Sequence, residues 1–357
     1  MDLDLHRLTL RLVDARPDDV RLVRSQYPAP AVDGGASTAD VVVRFVDALA
    51  MSGDIRRIGR DLVDDEGVVL VRAGHGSAAR IRVQLGEGGS ALVCERHVRE
   101  VPLLATLLWL AAVRKGLLPL HAVAFRYQGV GVAATGWSGS GKTATLLAML
   151  AVGAQPVSAE WVLVTEDGRE LLGVPQTVRL KPSHVERWAA LASLAGVAGG
   201  ARRRLLSALR PVATRVAPSA ARLFEQALHV DVPLHWLANR AVGASGQGCA
   251  LPTAPFDVLV LLEDAEVAAP TVEPVSAAFA VERILVGLEH DLTELEAARR
   301  ALRYSWPGSG DDSVGAGDDA QRQLLTCHLA SRPIFLLRHR QPTPFDVLRA
   351  AVEQTIG

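Results

Sequence analysis

Apolar residues fall in short clusters over the first hundred positions and in longer runs after them. Leu8 to Val13, Val41 to Phe45, Gly67 to Val71 and Ile81 to Leu85 carry the short, alternating pattern of strands. Turn signals separate them at Asp33-Gly34-Gly35, Asp65-Glu66-Gly67 and Glu87-Gly88-Gly89. Helical periodicity is weak throughout this stretch. Residues 1–100 are therefore predicted to form a small β-rich domain, open between binding a partner and supporting the rest of the chain.

From residue 101 the pattern changes. Val101 to Val113 is the longest apolar run, too short to span a bilayer, and reads as a buried linking helix ended by Arg114-Lys115-Gly116. Leu120 to Phe125 and Val130 to Ala134, joined by Arg126-Tyr127-Gln128-Gly129, predict a hairpin. Thr145 to Val152 reads as a helix that Gly153 ends. Val157 to Val164 reads as one strand carrying Ser158, Glu160 and Trp161, and a turn at Glu166-Asp167-Gly168 returns the chain along Glu170 to Val174. Ser183 and Glu186 make a capping box for a helix through Trp188. Helix-like spacing follows Arg202-Arg203-Arg204 to about Leu228, and Gly243 to Gly248 reads as a loop. The basic cluster fits either a solvated helix face or a phosphate contact. Phe256 to Leu262 is an apolar strand ending at Glu263-Asp264; residues 276–303 are helical, and Gly308 to Asp319 reads as a loop. Pro333 to Leu337 and Phe345 to Ile356 supply a last strand and helix. The pattern predicts an α/β chain in two parts, 1–100 and 101–357, with a mixed sheet and flanking helices in the second.

One stretch on this scaffold carries chemistry. Gly136-Trp137-Ser138-Gly139-Ser140-Gly141-Lys142-Thr143 fits G-x-x-x-x-G-K-[ST] between a strand and a helix, the setting a phosphate-binding loop requires. Glycines let consecutive N–H groups turn toward a polyphosphate, and the helix N-terminus adds partial positive charge. Residues 136–144, Ala144 included, are the predicted nucleotide contacts, with Lys142 on the β- and γ-phosphates and the Thr143 hydroxyl on Mg²⁺. Trp137 would cover the phosphates or pack against the sheet. Only Lys115, Lys142 and Lys181 are lysines in a chain otherwise using Arg, which singles out the compact ammonium of Lys142.

Composition narrows the classes. The net charge of −1, with no basic excess, argues against nucleic acid and anionic membranes as partners. Cys94, Cys249 and Cys327 lack paired spacing, which fits a reducing cytoplasm and speaks against a zinc site. The opening Met1-Asp2-Leu3-Asp4 lacks the basic and apolar regions of a secretion signal. Neither Lys115 nor Lys181 sits in an Asn/Thr-Lys-x-Asp guanine-reading motif, and Ala244-Ser245-Gly246-Gln247-Gly248 is only a loose echo of an ABC signature. GTPases and ABC ATPases are disfavoured.

Leu118-Pro119-Leu120-His121, Gly129 to Val132, the glycine loop, Gly153 and Val157-Ser158-Ala159-Glu160 together resemble the catalytic domain of HPr kinase/phosphorylase. More closely, they resemble the HPr-kinase-like proteins of peptide-tailoring and other biosynthetic pathways, lasso-peptide kinases among them. The resemblance covers about residues 101–183 and lacks the family's second signature, the loop that contacts HPr. It implies a P-loop kinase core using ATP and Mg²⁺ on a small-molecule or peptide acceptor, and a homo-oligomer. It places His121 near the transferred phosphate, with Lys142 and Thr143 in their family roles. The family's paired acidic residues fall on Ala159 and Glu160 here. The proton acceptor then stays open between Glu160, which would also be a metal ligand with Thr143, and His121. An already ionised acceptor would need no base, and a degenerate ATP-binding regulatory or scaffolding subunit would do no chemistry. Arg179 and Lys181, on one side of an extended segment, would either steady anionic groups or be solvated strand ends. Glu263 and Asp264 rank below Glu160 as metal carboxylates.

Overall fold

The computed structural model describes residues 1–32, 38–51, 53–58, 61–65, 68–72, 78–86, 89–181, 184, 229–234, 236–237, 252–306 and 315–357. The expected helix through Trp188, the cluster Arg202 to Arg204, the loop Gly243 to Gly248 and the turn Asp33 to Gly35 lie outside these residues.

The protein is mixed α/β, built on two large mixed sheets. The first sheet runs in the order β3 (Ala31–Val32), β1 (Asp2–Asp4), β2 (Thr9–Val13), β4 (Val41–Val46), β9 (Gly89–Glu95), β8 (Ala78–Gly86), β7 (Val68–Arg72), β6 (Asp61–Val63), β5 (Arg56–Ile58). Its parallel centre is β2, β4 and β9. The helix α1 (Pro17–Gln26) follows β2, a helix that the apolar pattern does not predict. Only Asp19 and Val23 of α1 are buried, so its apolar stripe is thin. Pro at its start, Asp18 and Asp19 in its first turn and Arg24 in its last mark its ends instead.

The second sheet holds β17 (Thr253–Pro255), β14 (Glu170–Gly173), β13 (Trp161–Val164), β10 (Leu118–Tyr127), β11 (Val130–Gly136), β18 (Val258–Asp264), β20 (Ile334–His339) and β19 (Thr271–Pro274), with β12 (Gln155–Ser158) also paired to β10. The expected hairpin is present, with β10 antiparallel to β11. β18 lies parallel to both β11 and β20. Period-two alternation divides its core: Val258, Val260 and Leu262 of β18 pack on one face, Leu259 and Leu261 on the other. On the first face lie α3 (Lys142–Leu150) and α7 (Phe345–Glu353), which touch each other. On the second face α2 (Leu104–Arg114) is inserted between the sheets, against β10 on one side and β4 and β9 on the other. It is buried around most of its circumference, which explains its unbroken apolar run. The helices α4 (Ala277–Asp291), α5 (Thr293–Ser305) and α6 (Gly315–Leu329) complete the described residues of this side. A small third sheet pairs β15 (Thr177–Leu180) with β16 (Val230–Pro233).

Two expectations are corrected. The strand expected over Val157 to Val164 is broken into β12 and β13, with Ala159 and Glu160 between them. Both pieces pair with β10, but in different registers, and the Ser158 hydroxyl bonds to the Trp161 carbonyl across the break. The loop expected over Gly308 to Asp319 is helical from Gly315 onward, since α6 extends back through Gly315-Ala316-Gly317 from its better helix-forming residues.

Candidate functional site

The parallel strands β11, β18 and β20 all end at one edge of the second sheet, the position where open α/β sheets present ligand crevices. Gly136 closes β11 where no side chain fits: a Cβ there would lie 2.4 Å from the Leu262 carbonyl oxygen and 2.6 Å from Ser140 Oγ. The loop then turns through Gly139 and Gly141, both in the left-handed region at φ +86° and +99°. A Cβ on Gly141 would meet Gln341 Nε2 at 2.1 Å and His339 Cε1 at 2.7 Å. The loop is thus seated on the end of β20. His339, fully buried, donates from Nε2 to the Ser140 carbonyl at 2.9 Å, and burial pushes its pKa down against the opposing effect of that bond. Asp264, at the end of β18, accepts the Gln341 backbone N–H at 2.9 Å and fixes the next turn.

A cavity of about 360 Å³ opens on this loop. Ser138, Gly139, Gly141, Lys142, Thr143 and Ala144 line it, whereas Gly136, Trp137 and Ser140 belong to the loop's frame. Lys142 Nζ donates to the carbonyl oxygens of Gly136 at 2.6 Å and Trp137 at 3.3 Å. It forms no ion pair among the described residues. Burial lowers its pKa, while the negative charges of Asp291 and Glu160 act in the opposite sense. A cation held in the wall of a cavity with only carbonyl partners suits an anionic ligand. Arg179 and Lys181 both reach the same cavity, Arg179 sharing its charge with Asp231 at 3.2 Å. The side shared by Arg179, on β15, and Lys181, just after it, therefore reaches this cavity.

His121, Glu160 and Glu100 stand in the wall between this cavity and a second one. His121 Nδ1 lies 2.8 Å from Asp291 Oδ2, at the C-terminus of α4. The carboxylate accepts, so Nδ1 carries the proton and Nε2 of the neutral ring keeps its lone pair. The other side of the imidazole is stacked on Trp161, ring centroids 5.1 Å apart. The break between β12 and β13 leaves Glu160 exposed at the cavity wall and buries Ala159 beside it. Trp137 is exposed, and its indole meets the His290 ring on α4, centroids 4.8 Å apart. Glu263 is engaged elsewhere, held by Arg283 and Arg338; the bond from Arg283 chiefly keeps its carboxyl below the usual range.

The structure brings the sequence-predicted Lys142, Thr143, His121 and Glu160 to adjoining cavities and sets beside them Asp291, His339 and Gln341, which the sequence reading did not single out and whose only signal is their place at the ends of a helix and an apolar strand. Among the described residues no group of three or more His, Cys, Asp or Glu side chains is arranged to hold a metal ion. Thr143 and Glu160 are one hydroxyl and one carboxylate at the same cavity, a donor set that fits Mg²⁺ taking its other ligands from phosphate and water. No protein-family model matches this chain, and no curated protein does.

Proposed function

We propose that the protein is an ATP-dependent phosphotransferase with a P-loop core of the HPr-kinase-like type. The observation that carries this reading is the His121–Asp291 pair, 2.8 Å apart, in the wall shared by the glycine-loop cavity and its neighbour. ATP would lie with its polyphosphate against the loop amides and Lys142, whose carbonyl partners its oxygens would replace. The acceptor's hydroxyl oxygen attacks the γ-phosphorus, the bond from that phosphorus to the β–γ bridging oxygen breaks, and its electron pair leaves with ADP. The hydroxyl proton passes to His121 Nε2. Asp291 holds the ring in the tautomer that can take it and stabilises the imidazolium formed. Lys142 stabilises charge on the moving phosphoryl group, Arg179 and Lys181 flank it, and Gln341 braces Gly141. Thr143 and Glu160 would hold Mg²⁺, which neutralises phosphate charge.

With His121 so held, the family's first acidic position can be filled by Ala159 without loss of a base. The buried methyl of Ala159 in the cavity wall supports a second reading, a nucleotide-dependent binding subunit without chemistry. Calorimetry with ATP and Mg²⁺, together with ADP release, separates the two on wild type, Lys142→Ala, His121→Gln, Asp291→Asn and Glu160→Gln. Slow ADP release lost in His121→Gln and Asp291→Asn, with ATP still bound, supports the kinase. Tight ATP binding with no ADP release or phosphoproduct in any variant supports the binding subunit.

A further inference from the structure

We infer that the second cavity is the acceptor site and selects an acceptor bearing a positive charge, an ammonium or guanidinium, beside an apolar body and a hydroxyl. As an acceptor assignment this rests on the phosphotransferase reading above. The two cavities differ in their cations. The loop side is lined by Lys142, Arg179 and Lys181 together with Asp231 and the shared Glu100 and Glu160. The second cavity, about 390 Å³, is lined by Glu100, Glu160, Asp291 and Glu294, and by no Lys or Arg. Asp291 is engaged with His121, whereas Glu100, Glu160 and Glu294 form no ion pair among the described residues. Unpaired carboxylates gathered in a concavity repel one another and favour a cation among them.

The remaining wall indicates what accompanies that charge. Trp109 and Trp161 line it, Trp161 with one ring face stacked on His121, and supply apolar wall. Trp109 is only 3% exposed, yet its indole Nε1–H has no hydrogen-bond partner. A buried indole N–H ordinarily finds one, and an oxygen atom of a bound ligand would supply it. The cavity falls within the size range of small-ligand sites. It admits a small amino alcohol or the last residues of a peptide, and both share this chemistry.

The test reads binding to the full chain without nucleotide. Phenylalaninol and its uncharged N-acetyl form share ring and hydroxyl and differ in the amine. Titration calorimetry should show phenylalaninol binding about 10-fold more tightly or better, about 1.4 kcal/mol. That preference should collapse in Glu100→Gln/Glu294→Gln, and in wild type at about 0.5 M NaCl, where exposed charges are screened. Capped lysyl-serine and glutaminyl-serine dipeptides form a second pair: preference for the lysyl member alone identifies a peptide end, and preference for phenylalaninol alone a small amino alcohol. Equal binding within both pairs, or no binding by either cationic probe, overturns the inference whatever ATP does. Charge-selective binding with no transfer from ATP to any probe keeps the cation-selective site and overturns the phosphotransferase reading instead.

Discussion

Each sheet contains a trio of parallel strands with a helix after the first member: β2, β4 and β9 with α1, and β11, β18 and β20 with α3. Their carboxyl ends are finished in opposite ways. At the end of the first trio Arg96, its side chain 8% exposed, pairs with Asp19 of α1 at 3.0 Å and with Asp47 at 3.1 Å. Arg16 adds a second contact to Asp47, and Asp19 also caps α1 through the Arg16 backbone N–H. Each of these four charges has a partner of the opposite sign, so this end is sealed electrostatically. At the end of the second trio three glycines keep side chains away, and a lysine is held among carbonyls. Topology offers a crevice in both places; the residues decide which one stays open.

The largest effect expected from breaking this contrast is on the sealed side. Arg96→Ala leaves Asp19 buried without its cation and should cost about 3–5 kcal/mol in denaturant unfolding. ATP affinity of the folded fraction should be unchanged. On the open side the consequence is reversed: Lys142→Ala should lower ADP release about 10²- to 10³-fold, with no loss of melting temperature. A destabilised Lys142→Ala protein would show that the lysine serves the fold. Gly141→Ala comes next, since its Cβ would strike Gln341 and His339 at a backbone angle unfavourable for side chains. It should cost about 1–3 kcal/mol and weaken ATP binding, read by melting and calorimetry together.

The smallest effect is set by pH. Burial lowers the pKa of His339, so the unfolded chain takes up a proton more readily than the folded one. The stability this contributes is present above the ordinary histidine value, about 6.5, and is lost as pH falls through the lowered folded value. His328, also lowered chiefly by burial, adds the same sign. Melts of wild type and His339→Gln between about pH 8 and 5 should show a shallower pH slope in the variant.

What could be read from the sequence depended on how local its cause is. The hairpin at 118–136, the buried helix before it and the glycine loop are each dictated by neighbouring residues, and all three stand where the pattern puts them. His121 was visible; its partner Asp291 is 170 residues away, and His339 is 199 residues from the Ser140 carbonyl it holds. No window of sequence contains such pairs, because helix packing and strand order create them. The break at Ala159-Glu160 was hidden for a related reason. The apolar run reads through it, and only the two registers against β10 interrupt the strand.

The ring contact between Trp137 and His290 makes the loop an optical reporter of its own state. Among the described tryptophans Trp137 is the most exposed, at 53%, and it stands within the loop beside an imidazole able to quench its emission when protonated. A ligand that moves the loop against the end of α4 changes that distance, and hence intensity and wavelength, without any label. With Trp137→Phe as the blank, stopped-flow fluorescence would time the loop's response separately from any chemistry that follows.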